Sequence, residues 1–362
     1  MKIGVPREIK DHEFRVSLTP HGARELIRAG HEVFVQKDAG SAIGFPDSMY
    51  WDAGAILVDT AEEAYSNELV LKVKEPQQQE YPLMKQGNMF FSYLHLASCP
   101  TLAGALIQGG VIAIGYETVT DRHGGLPLLA PMSQIAGRLA VQAASAGLTM
   151  PNGGSGLLLS GAIGVPPARI MVLGAGTVGG NAARLASRMG GDVTVFDINP
   201  DALAPLEDSG IKTCYSSSYT IETHLRETDV LIGATLIPGK NAPKLIFRNM
   251  VKTMKPGSVL VDVSIDQGGC SETSRPTTHT SPFYIDEGVV HYCVTNMPAL
   301  VSRTATLALT HATLPYILRI ANLGLDTALE RDAGLMGGLQ VRGGHITHSA
   351  VAEALRQEPE SP

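Results

Sequence analysis

The chain has 362 residues, with 28 Lys and Arg against 35 Asp and Glu, a net charge of −7, and only 17% charged residues beside 44% hydrophobic ones. An acidic chain of this kind is not a general nucleic-acid binder, and no run of ~20 uncharged apolar residues suggests a membrane span. The opening MKIGVPREIK has no apolar leader stretch, and the four cysteines (Cys99, Cys214, Cys270, Cys293) form no CxxC pair, so a reduced, cytoplasmic chain without disulfide frame or metal site is expected.

At roughly 100–200 residues per domain, two domains are expected. Short runs rich in Val and Ile predict strands at 2–6, 32–36, 69–74, 89–94 and 111–116, with a helix at 19–29. A long helix is predicted over 133–149, with Ser133 as its N-cap and Pro131 keeping the preceding chain extended. A second series of strands follows at 169–173, 192–196, 211–214, 229–233, 258–263 and 290–294. Helices are predicted at 177–189 and 199–208, and a last long one at 303–323. The strands are continuous apolar runs, as suits parallel strands buried on both faces. Their alternation with helices predicts an α/β fold of two doubly wound parallel-sheet domains. The two long helices are read as links by which the chain leaves the first sheet, builds the second and returns. The first domain is therefore discontinuous, residues 1–128 and 304–362; the second is 129–303, with a cleft between them.

The clearest motif is Gly174-Ala-Gly176-Thr-Val-Gly179, placed after the strand RIMVL and opening a helix. Gly174 suits a tight turn, Gly176 lets backbone approach a pyrophosphate, and Gly179 allows close helix–strand packing. The helix N-terminus supplies N–H groups and a positive dipole end. About 20 residues on, VTVF ends in Asp197, whose carboxylate suits the two hydroxyls of an adenosine ribose and repels a 2′-phosphate. The pattern predicts a Rossmann domain that binds NAD; the bland alternative is an empty turn with Asp197 as a helix cap.

Ligands of open α/β sheets bind beyond the carboxyl ends of strands. The polar residues predicted there are Arg15, Lys74, His95 and Glu117 in the first series and Asp197, Asp266 and Asn296 in the second. Each has a bland reading: Arg15 as a surface arginine, Lys72 and Lys74 as an exposed strand edge, His95 as a buried histidine, Asp266 as a turn residue. As a set, Arg15, Lys74, His95 and Asp266 supply a cation for a carboxylate, an amine, a titratable base and an acid. His345 and His348 have no acidic or Cys partner at ligand spacing.

EFRVSLTP around Arg15, LKVKEP around Lys74, FSYLHLA around His95, YETV, LPLLAPMSQIAGRLA, GAGTVGGNAAR, VTVFDIN, MKPGSVLVDVSIDQGG, SRPTT and CVTNMPA together resemble the NAD-dependent L-alanine dehydrogenases, in order, from Met1 to about residue 350. The NAD-binding subunit of proton-translocating transhydrogenase shares that architecture and is the alternative; a catalytically silent NAD sensor is a third. The resemblance implies reversible oxidative deamination of L-alanine to pyruvate and ammonium, with NAD reduced, by a homohexamer that needs no membrane or nucleic acid. Substrate ligands carry over to Arg15 and Lys74, and acid–base roles to His95 and Asp266. Cofactor contacts fall on Ser133, Thr177, Val178, Asp197, Ser216, Leu236, Arg275, Asn296 and Met297. The sequence departs at Ala202, where some members have lysine near the adenosine, and at Gln134, where Glu is expected.

Overall fold

The computed structural model describes residues 1–235 and 242–356. Among them fifteen strands occur: β1 (Lys2–Val5), β2 (Glu32–Gln36), β3 (Ile56–Val58), β4 (Leu69–Leu71), β5 (Met89–Ser92), β6 (Ile112–Gly115), β7 (Arg169–Leu173), β8 (Asp192–Asp197), β9 (Lys212–Tyr215), β10 (Val230–Gly233), β11 (Val259–Asp262), β12 (Phe283–Asp286), β13 (Val289–Tyr292), β14 (Leu339–Arg342) and β15 (His345–Ile346). The chain separates into two compact units: Met1–Met132 with the stretch from Val301 onward, and Ser133–Leu300.

The first unit holds an eight-stranded sheet in the order β15-β14-β6-β5-β4-β1-β2-β3. Its first six strands in sequence pair in parallel, whereas β14 and β15 run antiparallel at one edge. Phe90, Leu94, Leu102, Leu106, Val111 and Val341 are among the fully buried side chains that pack one face. The helix Ser302–Leu323 returns the chain to this unit, where its Thr306 Oγ1 accepts a hydrogen bond from Val16 N at 3.2 Å. Ser17 Oγ donates to Leu71 O at 2.8 Å. The loop after β1 is thereby tied both to the returning helix and to the end of β4.

The second unit holds a seven-stranded sheet, β12-β13-β11-β10-β7-β8-β9, parallel except for the β12–β13 hairpin. Met171, Phe196, Leu225, Leu231, Val251 and Leu260 belong to its core. Strand order reverses between β7 and β10, the place where such sheets bind ligands.

Two predicted boundaries move by three residues. The helix expected over 133–149 runs over Ala130–Gly147, so Ser133 lies in its first turn and is not its cap. Pro131 does not hold the chain extended; it occupies that first turn, where its missing N–H has no intrahelical acceptor to lose. The strand predicted at 69–74 ends at Leu71, and Lys72 and Lys74 lie beyond it. The strands β3, β12, β14 and β15 were absent from the sequence reading; they are two to four residues long.

Gly179 and Gly137 are among the glycines on which close packing in the second unit depends. A Cβ on Gly179 would lie 1.8 Å from Gly174 O, and one on Gly137 would lie 2.2 Å from Val178 O. Gly179→Ala should therefore destabilise the protein by about 1–3 kcal/mol or more. Gly176→Ala, whose Cβ meets nothing within 4 Å, should melt like the wild type. Thermal unfolding of the two variants side by side checks the contrast.

Candidate functional site

In the first sheet the strand order turns at β1, which lies between β4 and β2. The loop leaving β1 carries Glu8, Glu13 and Arg15; the segment leaving β4 carries Lys72 and Lys74. Arg15 is not the surface arginine of the bland reading: it is 1% exposed. Its Nε donates to Glu13 Oε1 at 2.7 Å and its Nη2 to Glu13 Oε2 at 2.5 Å, while Nη1 reaches Met132 Sδ at 3.1 Å. Burial opposes the cation, but the hydrogen bonds and charge of Glu13 outweigh it and raise the pKa. The side-on edge of the guanidinium is held by the protein. A guanidinium is able to meet a ligand carboxylate in a fork through its end-on edge, Nη1 and Nη2.

Lys72 and Lys74 do not form an exposed edge; both are buried. Lys72 Nζ donates to Glu8 Oε2 and to Glu80 Oε1, each at 3.0 Å, and Tyr65 Oη donates to Glu80 Oε1 at 2.8 Å. Glu8 Oε1 also accepts from the backbone N–H of Val73 at 2.6 Å and of Lys74 at 3.3 Å, which fixes the chain where Lys74 leaves it. Among the described residues no hydrogen bond or ion pair ends on Lys74 Nζ. Burial, and next the charge of Arg15, hold its pKa below the ordinary lysine value.

His95 follows β5 and is exposed, so it is not a core histidine. Its backbone is left-handed, φ 50° and ψ 36°. Its ring stacks parallel on Tyr93, centroids 6.0 Å apart and planes 9° from parallel. Tyr93 is buried, donates to Leu128 O at 2.6 Å, and has its phenol pKa pushed up by burial, so it stays neutral.

In the second unit, Asp197 ends β8 and accepts from Ala175 N (2.6 Å) and from Asn199 N (2.9 Å). It is therefore part of the glycine turn, and the helix cap is Asn199. Gly174 has φ 101°, and its Cβ would lie 2.5 Å from Ala234 O; Gly176, the N-cap of the helix Thr177–Arg188, opens on space. Thr177 is exposed and Val178 half-buried at that helix start, and Ser216 N donates to Asp197 O at 2.9 Å. These residues are brought together. Ser133 and Arg275 have no described hydrogen bond or ring contact to the turn; Arg275 lies over the Tyr284 ring, 4.3 Å from its centroid. Leu236 lies outside the described residues.

Asp266 is exposed in the short 3₁₀ turn Val263–Gln267, and its carboxylate accepts from Asn296 N at 3.3 and 3.4 Å. Asn296 is left-handed, φ 54°, and Met297 beside it is buried. The loop is shaped by Asp262, 1% exposed, which accepts from Ser264 N, Cys270 N and Ser274 Oγ at 3.1, 2.8 and 2.6 Å.

Sequence reasoning missed Glu8, Glu13, Glu80, Tyr93, Met132 and Asp262. Only Glu13 and Asp262 left a signal, an acid two residues from Arg15 and an acid next to the last residue of a predicted strand.

Residues 4–136 match the model of the alanine dehydrogenase/PNT N-terminal domain, and residues 140–349 that of the C-terminal domain. The alanine dehydrogenase of Halomonas elongata is 52% identical over 362 residues, covering 99% of this chain and 98% of its own. A solved L-alanine dehydrogenase superposes with a TM-score of 0.95 at 48% identity, covering 98% of this chain and 99% of the other. The transhydrogenase of Sinorhizobium meliloti superposes with a TM-score of 0.83 at 24% identity, over 97% and 100% of the two chains, a likeness of fold.

The two buried cations make a titration prediction. Lys74 should lose its proton below the ordinary 10.5, so its neutral amine is present at lower pH than in other lysines. The double variant Arg15→Gln/Glu13→Gln should move that titration upward, because the Arg15 charge opposes the ammonium more than Glu13 favours it. ¹³C reductive methylation followed by NMR reads both; a Lys74 signal at the ordinary position in the wild type would contradict the assignment.

Proposed function

The chain belongs to the alanine dehydrogenase/PNT family, and from that premise we propose that it is an L-alanine dehydrogenase, reversibly converting L-alanine to pyruvate and ammonium with NAD. The observation that carries the substrate side is the burial of Arg15 and Lys74 at the switch point of the first sheet, with His95 exposed just past the neighbouring strand β5. The transhydrogenase likeness rests on fold alone, and no described helix is long and apolar enough to cross a membrane.

The glycine turn fits a dinucleotide. Gly176 leaves open space beside the backbone, and the N–H groups of Thr177 and Val178 open the helix behind it. Asp197 would hold the adenosine ribose and, as a carboxylate, select NAD over NADP. Ser133, Gly174, Gly179, Ser216, Leu236, Arg275, Asn296 and Met297 complete the proposed contacts. The bound nicotinamide supplies one thing, acceptance of hydride from the alanine Cα.

Arg15 holds the alanine carboxylate through its end-on edge. Its charge neither flickers nor moves, because Glu13 locks the opposite edge. Lys74 hydrogen-bonds the nitrogen or oxygen on Cα. Its depressed pKa lets it present an uncharged amine to a substrate ammonium, or an ammonium to a developing carbonyl oxygen. Loss of hydride leaves a substrate iminium; water adds to that carbon and ammonia departs. His95 is the proton carrier for these transfers, and Asp266 orients the water and accepts from it. We place the enzyme in the cytoplasm as a homohexamer; the low charge content and the exposed Met150, Leu158, Ile163 and Val165 on one segment of the second unit support association between copies.

The deciding assay is NADH consumption by the purified chain with pyruvate and ammonium. NADPH should be used far less well, and Asp197→Ala should weaken NADH binding and narrow that preference; equal wild-type rates with both would refute the assignment of Asp197. His95→Ala and Asp266→Asn should each lower turnover by about 10²–10⁴-fold, with NADH binding by fluorescence unchanged.

A further inference from the structure

We propose that Glu117, supported by Gln340, is the positioning residue for His95; the proposal rests on the reading of His95 as the proton carrier. A left-handed backbone is uncommon for a residue with a side chain, and it persists only where surrounding groups over-determine it. Here Glu117 does so. Its Oε1 accepts from His95 N at 2.8 Å, and its two oxygens accept from Leu94 N at 3.3 and 3.2 Å. One carboxylate thus serves two consecutive amides at the point where the chain leaves β5 and turns into φ 50°.

Glu117 is itself fixed from the far end of the chain. Gln340, 1% exposed on β14, donates from Nε2 to Glu117 Oε1 at 3.1 Å and to Thr118 Oγ1 at 3.0 Å. The approach needs Gly115, whose Cβ would lie 2.1 Å from Gln340 Nε2. The imidazole is held on its face by Tyr93 and through its backbone by Glu117. Glu117 so placed sets where the ring points. This gives the antiparallel strand β14 a part in catalysis: it extends the sheet beside β6 and delivers the amide that keeps the carboxylate aimed at the His95 turn.

Glu117→Gln keeps the shape but turns one acceptor oxygen into a donor that opposes Leu94 N–H or the Gln340 amide. Turnover should fall roughly 10- to 100-fold, as a misplaced reacting group costs. The KM for pyruvate should stay within about twofold, since Arg15 and Lys74 are untouched. In a His95→Ala background the same substitution should cost nothing further. Gln340→Met, which leaves the carboxylate but removes its support, should show a smaller loss that also vanishes in His95→Ala, and it stands in if Glu117→Gln does not fold. Losses that add to that of His95→Ala, or full turnover in both folded variants, would overturn the proposal. Full turnover in His95→Ala itself would instead remove the reading of His95 on which it rests.

Discussion

The ion pair between Arg15 and Glu13 has almost no access to water, and the first unit is organised around keeping it charged. A guanidinium cannot escape burial by losing its proton, so it needs a carboxylate, and breaking such a pair costs about 3–5 kcal/mol because a lone buried charge remains. Glu13 meets that need from two residues away and grips the side-on edge. A fixed positive charge then stands at the carboxyl end of the sheet. In the proposed role it would orient a ligand carboxylate; burial first, and its charge next, depress the amine of Lys74, which has no carboxylate of its own in hydrogen-bond reach among the described residues.

Two acids of the second unit are used differently. Asp197 and Asp262 spend their oxygens on backbone amides and a hydroxyl, not on cations. Carboxylates accept such bonds strongly, and each one fixes the course of a turn. Asp197 braces the glycine turn, and Asp262 folds the stretch that carries Asp266. Glu117 does the same for His95 in the first unit. In all three places an acid ending a strand, or just beyond one, shapes the backbone that presents a neighbouring group.

The parallel strands were legible because burial on both faces writes them as unbroken apolar runs, and the glycine turn because its three glycines have separate steric reasons. The edges were not. β14 and β15 are short and flanked by Gly337-Gly338 and Gly343-Gly344, which read as loop. Pro131 read as a barrier although the first helical turn accepts it. Arg15 and His95 could be placed at strand ends, but their burial could not be read. His95 lies exposed after a wholly buried strand, and Arg15 lies buried within a loop, the reverse of what residue type suggests.

LKVK shows the limit most sharply. Lys72 and Lys74 are two residues apart, both buried, and identical in type, yet their pKa values move in opposite directions. For both, burial is the largest influence and disfavours the ammonium. Lys72 sits between Glu8 and Glu80, whose combined charge and hydrogen bonds reverse the effect and hold it as a structural cation. Lys74 meets Arg15 instead, and like charge adds to burial. The carboxylates that separate them come from sequence distances of 64 and 8 residues, so nothing local distinguishes the two lysines. Glu8 also bonds the amide of Lys74, so the same carboxylate that makes one lysine permanent in its charge sets the position of the lysine whose charge is free to change.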